Sequence, residues 1–196
     1  MNDRLKKQME FILEVDKLKK IGRQTYLSDA SRKENDAEHS WHLALMAVLL
    51  AEHSNEDIDI LKVITMVLIH DLVEIDAGDT YAYDEVGKAS QRKREEAAAD
   101  RIFNILPEDQ ARYMRNLWEE FEAQETSEAK FARTLDNAQP VMLNDATDGL
   151  AWREHEVKLN QVMGRNKNTH KGSEDIWEYV QNIFIKNVSK GNIIEE

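Results

Sequence analysis

The residues best suited to chemistry in this chain follow an apolar run. Residues 64–80 read ITMVLIHDLVEIDAGDT, so His70 and Asp71 come directly after the apolar positions, Glu74 comes one helical turn later and Asp79 lies beyond a glycine. An aspartate is almost never fully buried unless it is paired or bound to a metal. An apolar helix that ends in His-Asp-x-x-Glu therefore predicts one wall of a metal site.

Helical geometry limits how these side chains can meet. Adjacent residues of a helix point about 100° apart, so His70 and Asp71 reach a common ion only if it lies over the edge between them. Glu74 shares that edge, because it is four residues after His70 and three after Asp71. A His-Asp dipeptide alone is a weak signal, and a buried His-carboxylate pair that stabilises the fold is the alternative.

The elements that must position these residues are helices. The 196 residues include only 7 glycines and 2 prolines and are rich in good helix formers. A chain of this length can build one domain with one sizeable core. We expect an all-α bundle of about seven to nine helices. It would be a single domain over residues 1–196, with the motifs at about 13–143 and C-terminal helices at 150–190 packed on them.

Apolar periodicity predicts the helix positions. The predicted helices cover about 4–20, 37–53, 57–77, 91–106, 107–121, 127–142, 152–164 and 174–188, and Gly78 is expected to end the third in a left-handed conformation. The second is expected to bury an apolar stripe made of Trp41, Ala44, Leu45, Val48 and Leu49. The expected N-terminal caps are Asn35 or Asp36, Asp57, Thr126 or Ser127, and Ser173.

Two segments depart from helical periodicity. Residues 23–36 contain several turn formers, so we expect an ordered connection that crosses the surface near the site. Pro140 lies inside the pattern of its helix and predicts a kink or a local break.

Charge and composition exclude some functions. The formal net charge of -12 argues against binding a nucleic-acid polymer, which needs clustered Lys and Arg. No cysteine is present, so a metal would be held by His and carboxylates. The N-terminus lacks the apolar core of a signal peptide, and the run at 63–69 is too short to span a bilayer. We expect a cytoplasmic protein without membrane contact.

Other metal-capable residues complete a recognisable pattern. His39 lies within Glu38-His39-Ser40, upstream of His70-Asp71, and Asp136 follows about 65 positions later. With the segments LKKIGR, ENDAEHSW, LIHDLVEIDAGD, LPED, LWEEFEAQETSEAKF and LDNA, the chain resembles the HD-domain metal-dependent phosphohydrolases. The similarity covers roughly residues 13–143. It is closest to the 5'-deoxynucleotidase branch, the YfbR-like group that includes HD domain-containing protein 2.

The resemblance implies a helical fold in which one divalent cation is held by four residues, His39, His70, Asp71 and Asp136. Two imidazoles and two carboxylates suit Mn²⁺ or Co²⁺, with Mg²⁺, Fe²⁺ and Zn²⁺ open as alternatives. Such an ion would orient a phosphate and lower the pKa of a bound water.

The resemblance also implies catalytic and substrate-binding roles. Glu74 would help to activate water or shuttle a proton, and Asp79 would be a catalytic or substrate-contacting carboxylate. Arg23 matches the family arginine expected to bind phosphate. The implied substrate contacts are Arg23, Gln24, Asp79, Thr80, Tyr81 and Ala82, with Gln24 standing where some relatives have tryptophan. A homodimer is implied as well.

Each of these residues also has a plainer interpretation. His39 could be a capping or surface histidine, and Asp136 a polar residue on the rim of its helix. Glu74 and Asp79 could be solvated charges at a helix end, and Arg23 an exposed loop arginine.

The functional hypothesis is a metal-dependent 5'-nucleotidase acting on (deoxy)ribonucleoside 5'-monophosphates. The alternatives are an HD-type hydrolase of a diester, a triphosphate or a ppGpp-like nucleotide, or a non-enzymatic helical adaptor with a structural metal.

Overall fold

The computed structural model describes residues 2–79 and 85–196. The described α-helices are α1 Asp3–Val15, α2 Asp36–Leu50, α3 Ile60–Ile69, α4 Glu74–Ala77, α5 Glu85–Phe103, α6 Glu108–Ala123, α7 Ser127–Ala146, α8 Leu150–Glu154, α9 Leu159–Asn166 and α10 Glu174–Ser189. The all-α class is confirmed. The number of described helices is close to the expected seven to nine, and the short helices α4 and α8 arise because the third and the seventh predicted helices are each divided in two. In the described part of the chain, none combines the length and apolar character needed to cross a membrane.

The connection predicted over residues 23–36 contains a small β-hairpin. Strand β1, Gly22–Tyr26, pairs antiparallel with β2, Lys33–Asn35. The hairpin buries Thr25 and Glu34, and it places Arg23 beside Glu34, with 3.5 Å between Nε and Oε1. The predicted connection near the site is therefore ordered by a two-stranded ladder, which sequence periodicity did not indicate.

Helix α2 begins with a capping box. The Asn35 side chain accepts a hydrogen bond from the Glu38 backbone N–H at 3.0 Å, and the Glu38 carboxylate accepts one from the Asn35 N–H at 3.1 Å. Asn35 is one of the two predicted caps. The box fixes the first helical turn and so the position of His39, which follows directly and is fully buried.

The core face predicted for α2 is wrong for all of its residues except Ala44, which is half-buried and packs against the core. Trp41, Val48 and Leu49 are 65%, 58% and 64% exposed, and Leu45 is exposed as well. The helix instead buries the face that carries His39, Ser40, Leu43, Met46 and Ala47. The apolar residues do form one stripe along the helix, but the polar residues at the start of the helix determine which side packs against the core. We call Trp41, Leu45, Val48 and Leu49 the α2 apolar face.

The third predicted helix changes type at the His-Asp pair. Helix α3 is capped by Asp59, two residues after the expected Asp57, and is followed by a 3₁₀ turn over His70–Val73 and then by α4. In a 3₁₀ turn, residues three apart lie one above the other. Asp71 and Glu74 are therefore brought together. Gly78, with φ of 74°, ends this segment as predicted.

Helix α7 packs against α2, α3, α6 and α10, so it lies at the centre of the molecule. Thr126 caps it by accepting a hydrogen bond from the Ala129 backbone N–H at 3.3 Å, as predicted. The helix continues through Pro140 without a break. It places the buried Asp136 next to His39 of α2 and His70 of the 3₁₀ turn after α3.

The seventh predicted helix is divided into α8 and α9. Glu156, with φ of 49°, lies between them and cannot continue a right-handed helix. The predicted Ser173 cap is confirmed, since its side chain accepts from the Ile176 N–H at 3.1 Å. The division turns the last residues of α9 toward α7 and the site.

Candidate active site

The proton on His39 is positioned by Gln139 from α7. Gln139 Nε2 donates to Glu34 Oε2 at 2.9 Å, and its Oε1 lies 3.0 Å from His39 Nδ1. Because the amide nitrogen faces the carboxylate, the amide oxygen faces the imidazole and requires a proton on Nδ1. His39 Nε2 then carries a lone pair, and it lies 3.1 Å from Asp136 Oδ1.

His70 has the same tautomer for a different reason. Its Nδ1 lies 2.9 Å from the Val67 backbone carbonyl, which can only accept a hydrogen bond, so the proton is on Nδ1. The buried Nε2 has no hydrogen-bond partner. It lies 3.1 Å from Asp71 Oδ1 and 3.7 Å from Asp136 Oδ1.

Three lone-pair donors therefore converge. His39 Nε2, His70 Nε2 and an oxygen of Asp136 all lie within 4.8 Å of one another, and all three residues are buried. Facing lone pairs repel unless a proton or a cation lies between them. Two imidazole nitrogens and a carboxylate are suitable ligands for a divalent transition metal, so these residues fit such an ion and could hold it. We call this group the metal corner.

The titration of the two imidazoles supports a cation at this corner. Burial, with the charge of Arg23, lowers the pKa of His39 to about 4, so the ring is neutral at neutral pH. Burial also favours a neutral His70, but Asp71 and Asp136 outweigh burial and raise its pKa to about 10. Without an ion, His70 Nε2 therefore carries a proton at neutral pH, and a metal ion would displace that proton to bind the lone pair. The corner thus attracts positive charge, which a metal ion supplies without protonating His39.

Asp71 borders the metal corner and a second acidic group. Its Oδ1 faces His70, while its Oδ2 accepts a hydrogen bond from Arg23 Nη1 at 2.9 Å. Oxygens of Asp71, Asp36 and Glu74 also lie within 4.8 Å of one another. The 3₁₀ turn explains this grouping, because it aligns Asp71 with Glu74.

The predicted catalytic carboxylates lie beside this pair. Glu74 is buried, with no partner for its Oε2. Burial and the charges of Asp71 and Asp36 raise the pKa of Glu74 well above its usual value. Burial also raises the pKa of Asp79 and, with Asp71, that of Asp36 to about 7. Glu74 therefore has an environment that favours holding a proton, a common property of general acids and bases.

Arg23 is less available than an exposed loop arginine. Its Nη1 donates to Asp71 Oδ2 and, at 3.1 Å, to Asp36 Oδ1, and its side chain is only 13% exposed. After the unfavourable effect of burial, the charges of Asp71 and Asp36 raise the pKa of Arg23 above its usual value. Arg23 thus neutralises the acidic group next to the metal corner.

A cavity of about 540 Å³ opens beside the metal corner and includes Arg23, Gln24, His70, Asp71, Glu74, Asp79 and Asp136 in its walls. Gln24 Oε1 accepts from Lys33 Nζ at 2.6 Å. The other predicted substrate contacts, Thr80, Tyr81 and Ala82, lie outside the described residues. The structure thus brings the described site residues together. His39 belongs to the metal corner but does not line the cavity itself.

Sequence reasoning did not single out several residues of the site. On α7, Arg133 precedes Asp136 by three residues and Gln139 follows it by three, a helical spacing that could have indicated both. Glu34 and Asp36 stand within the ENDAEHSW segment. Arg165 comes from α9, far from the motifs, and no local pattern marks it.

Residues 15–177 match the HD domain family, and this range includes His39, His70, Asp71 and Asp136. The chain belongs to the HD domain family, which confirms the resemblance seen in its motifs.

A solved structure from Magnetospirillum magnetotacticum MS-1, described as a predicted metal-dependent phosphohydrolase, is similar over most of both chains. It is 47% identical with a TM-score of 0.93, and the match covers 97% of this chain and 96% of that one. Relatives from Bos taurus and Homo sapiens, both named 5'-deoxynucleotidase HDDC2, are 31% identical over 136 residues, 68% of this chain. The match spans 64% and 65% of those relatives, slightly less than two thirds of their length.

Proposed function

We propose that this protein is a metal-dependent 5'-nucleotidase that hydrolyses deoxyribonucleoside or ribonucleoside 5'-monophosphates to nucleoside and phosphate. The observation that carries the proposal is the convergence of His39 Nε2, His70 Nε2 and an Asp136 oxygen beside a cavity of about 540 Å³. Small-molecule sites have volumes in this range. The names of the relatives support the same reaction class and substrate.

In this proposal His39, His70, Asp71 and Asp136 hold one divalent cation, with Mn²⁺ or Co²⁺ favoured by the mixed nitrogen and oxygen donors. A cation there supplies Lewis acidity toward a phosphate ester. Asp71 joins the set because its Oδ1 lies 3.1 Å from His70 Nε2.

Glu74 is the group that moves a proton. Its raised pKa and its unpartnered Oε2 favour accepting a proton from the attacking water and returning it to the departing 5'-oxygen of the nucleoside. The P–O bond to the water forms as the P–O5' bond breaks, so the proton passes from one oxygen to the other. Asp79, in the cavity wall, contacts the substrate or assists this transfer.

The substrate is a small nucleotide, not a nucleic-acid polymer. We propose contacts from Arg23, Gln24, Asp79, Thr80, Tyr81 and Ala82. Arg23 has Nη1 committed to carboxylates, so it would meet the phosphate with the rest of its guanidinium. The net charge of -12 is consistent with this substrate class.

We also propose that residues 1–196 act as one domain, in the cytoplasm, as a homodimer. The α2 apolar face supports the dimer, because Trp41, Val48 and Leu49 are each more than half exposed. Contiguous exposed apolar residues of this kind mark protein contacts.

The decisive experiment is a matrix of metals and substrates in a phosphate-release assay. Mn²⁺, Co²⁺, Mg²⁺, Fe²⁺ and Zn²⁺ would each be tested with dAMP, dGMP, dTMP and AMP, beside a phosphodiester and a nucleoside triphosphate. We expect release from the monophosphates, its loss with a chelator, and near-complete loss in Asp71→Ala and Glu74→Ala. Asp57→Ala removes an exposed carboxylate that does not line the cavity and is the matched control.

Other outcomes would select an alternative. Release only from the diester or the triphosphate would indicate an HD-type hydrolase of that substrate instead of a 5'-nucleotidase. A folded protein that binds metal but releases phosphate from nothing in the matrix would indicate an adaptor with a structural ion. Rapid turnover by folded Asp71→Ala would refute the mechanism.

A further inference from the structure

Most of the arginines that a phosphomonoester would meet in this cavity are already paired with carboxylates of the protein. The described residues in its walls include six carboxylates and five cationic side chains. Arg133 Nη1 donates to Asp136 Oδ2 at 3.0 Å and its Nη2 to Glu122 Oε1 at 2.9 Å, while its guanidinium lies 4.2 Å from the centre of the Phe121 ring. Arg133 and Arg23 are 15% and 13% exposed. Both serve chiefly to neutralise buried carboxylates.

Arg92 is also engaged. It pairs with Glu96 at 2.7 Å and lies 4.9 Å from the centre of the Trp118 ring. Arg92 lines the cavity, but these contacts with α5 and α6 already hold its guanidinium.

Arg165 differs from these three arginines. It lies in the last turn of α9, its side chain is 39% exposed, and it lines the cavity. Among the described residues, the one carboxylate within 4 Å of it is Asp136, with Nη2 at 3.4 Å from Oδ2. That oxygen already accepts the shorter hydrogen bond from Arg133. A substrate anion can therefore bind Arg165 without removing the main partner of Asp136.

The position of Arg165 suits a phosphate bound at the metal corner. Oδ2 of Asp136 faces Arg165, whereas Oδ1 faces the two imidazoles. Only this carboxylate therefore separates the guanidinium from the imidazole ligands. A guanidinium presents parallel N–H groups that match two phosphate oxygens. Lys167, two residues later, adds positive charge to the same wall.

We infer that Arg165 binds the phosphate group of the substrate, so that the C-terminal segment completes a site whose metal ligands come from α2, α7 and the 3₁₀ turn after α3. The inference rests on the proposed function, and it identifies a binding residue outside the motifs. Arg133, by contrast, is a positioning residue that acts through Asp136.

The test measures phosphate binding separately from catalysis. Calorimetric titration of inorganic phosphate into Mn²⁺-loaded protein would compare the wild type with Arg165→Gln, Arg165→Lys and Lys171→Gln, and the Mn²⁺ affinity of each would be measured first. Lys171→Gln removes one exposed charge from the same segment outside the cavity and is the control. Steady-state kinetics with dAMP would follow.

We expect Arg165→Gln to weaken phosphate binding by about 10- to 100-fold, as for loss of a hydrogen bond to a charged group, with a raised KM and unchanged Mn²⁺ affinity. Arg165→Lys should restore part of the loss, and Lys171→Gln should equal the wild type. Phosphate affinity within twofold of the wild type in Arg165→Gln would overturn the inference, as would a loss confined to Mn²⁺ binding.

The two proposals fail in different ways. Arg165-dependent phosphate binding without release from any nucleotide would reject the nucleotidase and support the role of Arg165. Normal release from dAMP with Arg165-independent phosphate binding would do the opposite.

Discussion

Replacement of Gln139 by methionine is expected to weaken Mn²⁺ binding, because Gln139 determines which nitrogen of His39 carries the proton. Gln139 is fully buried and bridges His39 Nδ1 and Glu34 Oε2 at 3.0 and 2.9 Å. Methionine has a similar volume but no amide. Without an acceptor at Nδ1, the His39 proton can move to Nε2, the nitrogen that faces the metal corner.

The magnitude follows from what the substitution removes. Loss of a partner that orients a metal-binding histidine costs about 10- to 100-fold in metal affinity, or about 1.4 to 2.8 kcal/mol. Glu34 Oε1 lies 3.7 Å from His39 Nδ1 and could shift to replace the amide oxygen. We therefore expect the lower end of this range for Gln139→Met and the upper end for Gln139→Met combined with Glu34→Ala.

The assay is a competition titration of metal-free protein with Mn²⁺ against a fluorescent chelator, with thermal unfolding as a measure of folding. Gln110→Met is the matched control, since Gln110 is half-buried and bonds only Gln8 among the described side chains. A folded Gln139→Met protein, and the double variant, with Mn²⁺ affinity within twofold of the wild type would refute the tautomer argument.

Four further predictions address catalysis, the metal, stability and assembly. Glu74→Gln should lower kcat by about 10²- to 10⁴-fold, as for loss of a general acid or base, with Mn²⁺ affinity changed less than threefold in the same titration. A chelator should lower the melting temperature measured in excess Mn²⁺, since a metal at 100 times its Kd stabilises the fold by about 2.7 kcal/mol; an unchanged melting temperature would argue against a metal bound to the folded state. Asp145→Ala should destabilise the protein by about 1 to 2 kcal/mol at pH 7 in urea unfolding, because Asp145 accepts hydrogen bonds from Lys186 and Asn187 of α10. Burial opposes ionisation, but these partners lower the pKa of Asp145, so the difference should be present above about pH 4 and shrink as the pH falls through the folded-state pKa. Leu49→Asp should convert a dimer to a monomer in light scattering without loss of helicity, and an unchanged mass would exclude the α2 apolar face as the interface.

The sequence was sufficient for the fold class, which depends on local patterns, whereas the grouping of His39 and Asp136 with His70 was predicted only through the family resemblance. Helix formers and periodicity predict the bundle, and His70-Asp71 after an apolar run is unusual enough to indicate a site. The orientation of α2 could not be predicted in this way. Both of its faces have helical spacing, but the exposed face is apolar throughout whereas the buried face begins with polar residues, and the tertiary contacts of His39 explain why the second is buried.

Helix α7 shows why the remaining site residues needed the structure. Arg133, Asp136 and Gln139 are spaced by three residues, so successive side chains differ by about 60° and the three span about 120° of the helix. Arg133 holds one oxygen of Asp136, which leaves the other for the imidazoles, and Gln139 sets the tautomer of His39. Helix α7 thus orients Asp136 directly, and it orients His39 through a hydrogen bond at Nδ1, the nitrogen that faces away from the metal corner. Substitutions at 133 and 139 should therefore change metal affinity without removing any ligand, which separates orientation of the ligands from their identity.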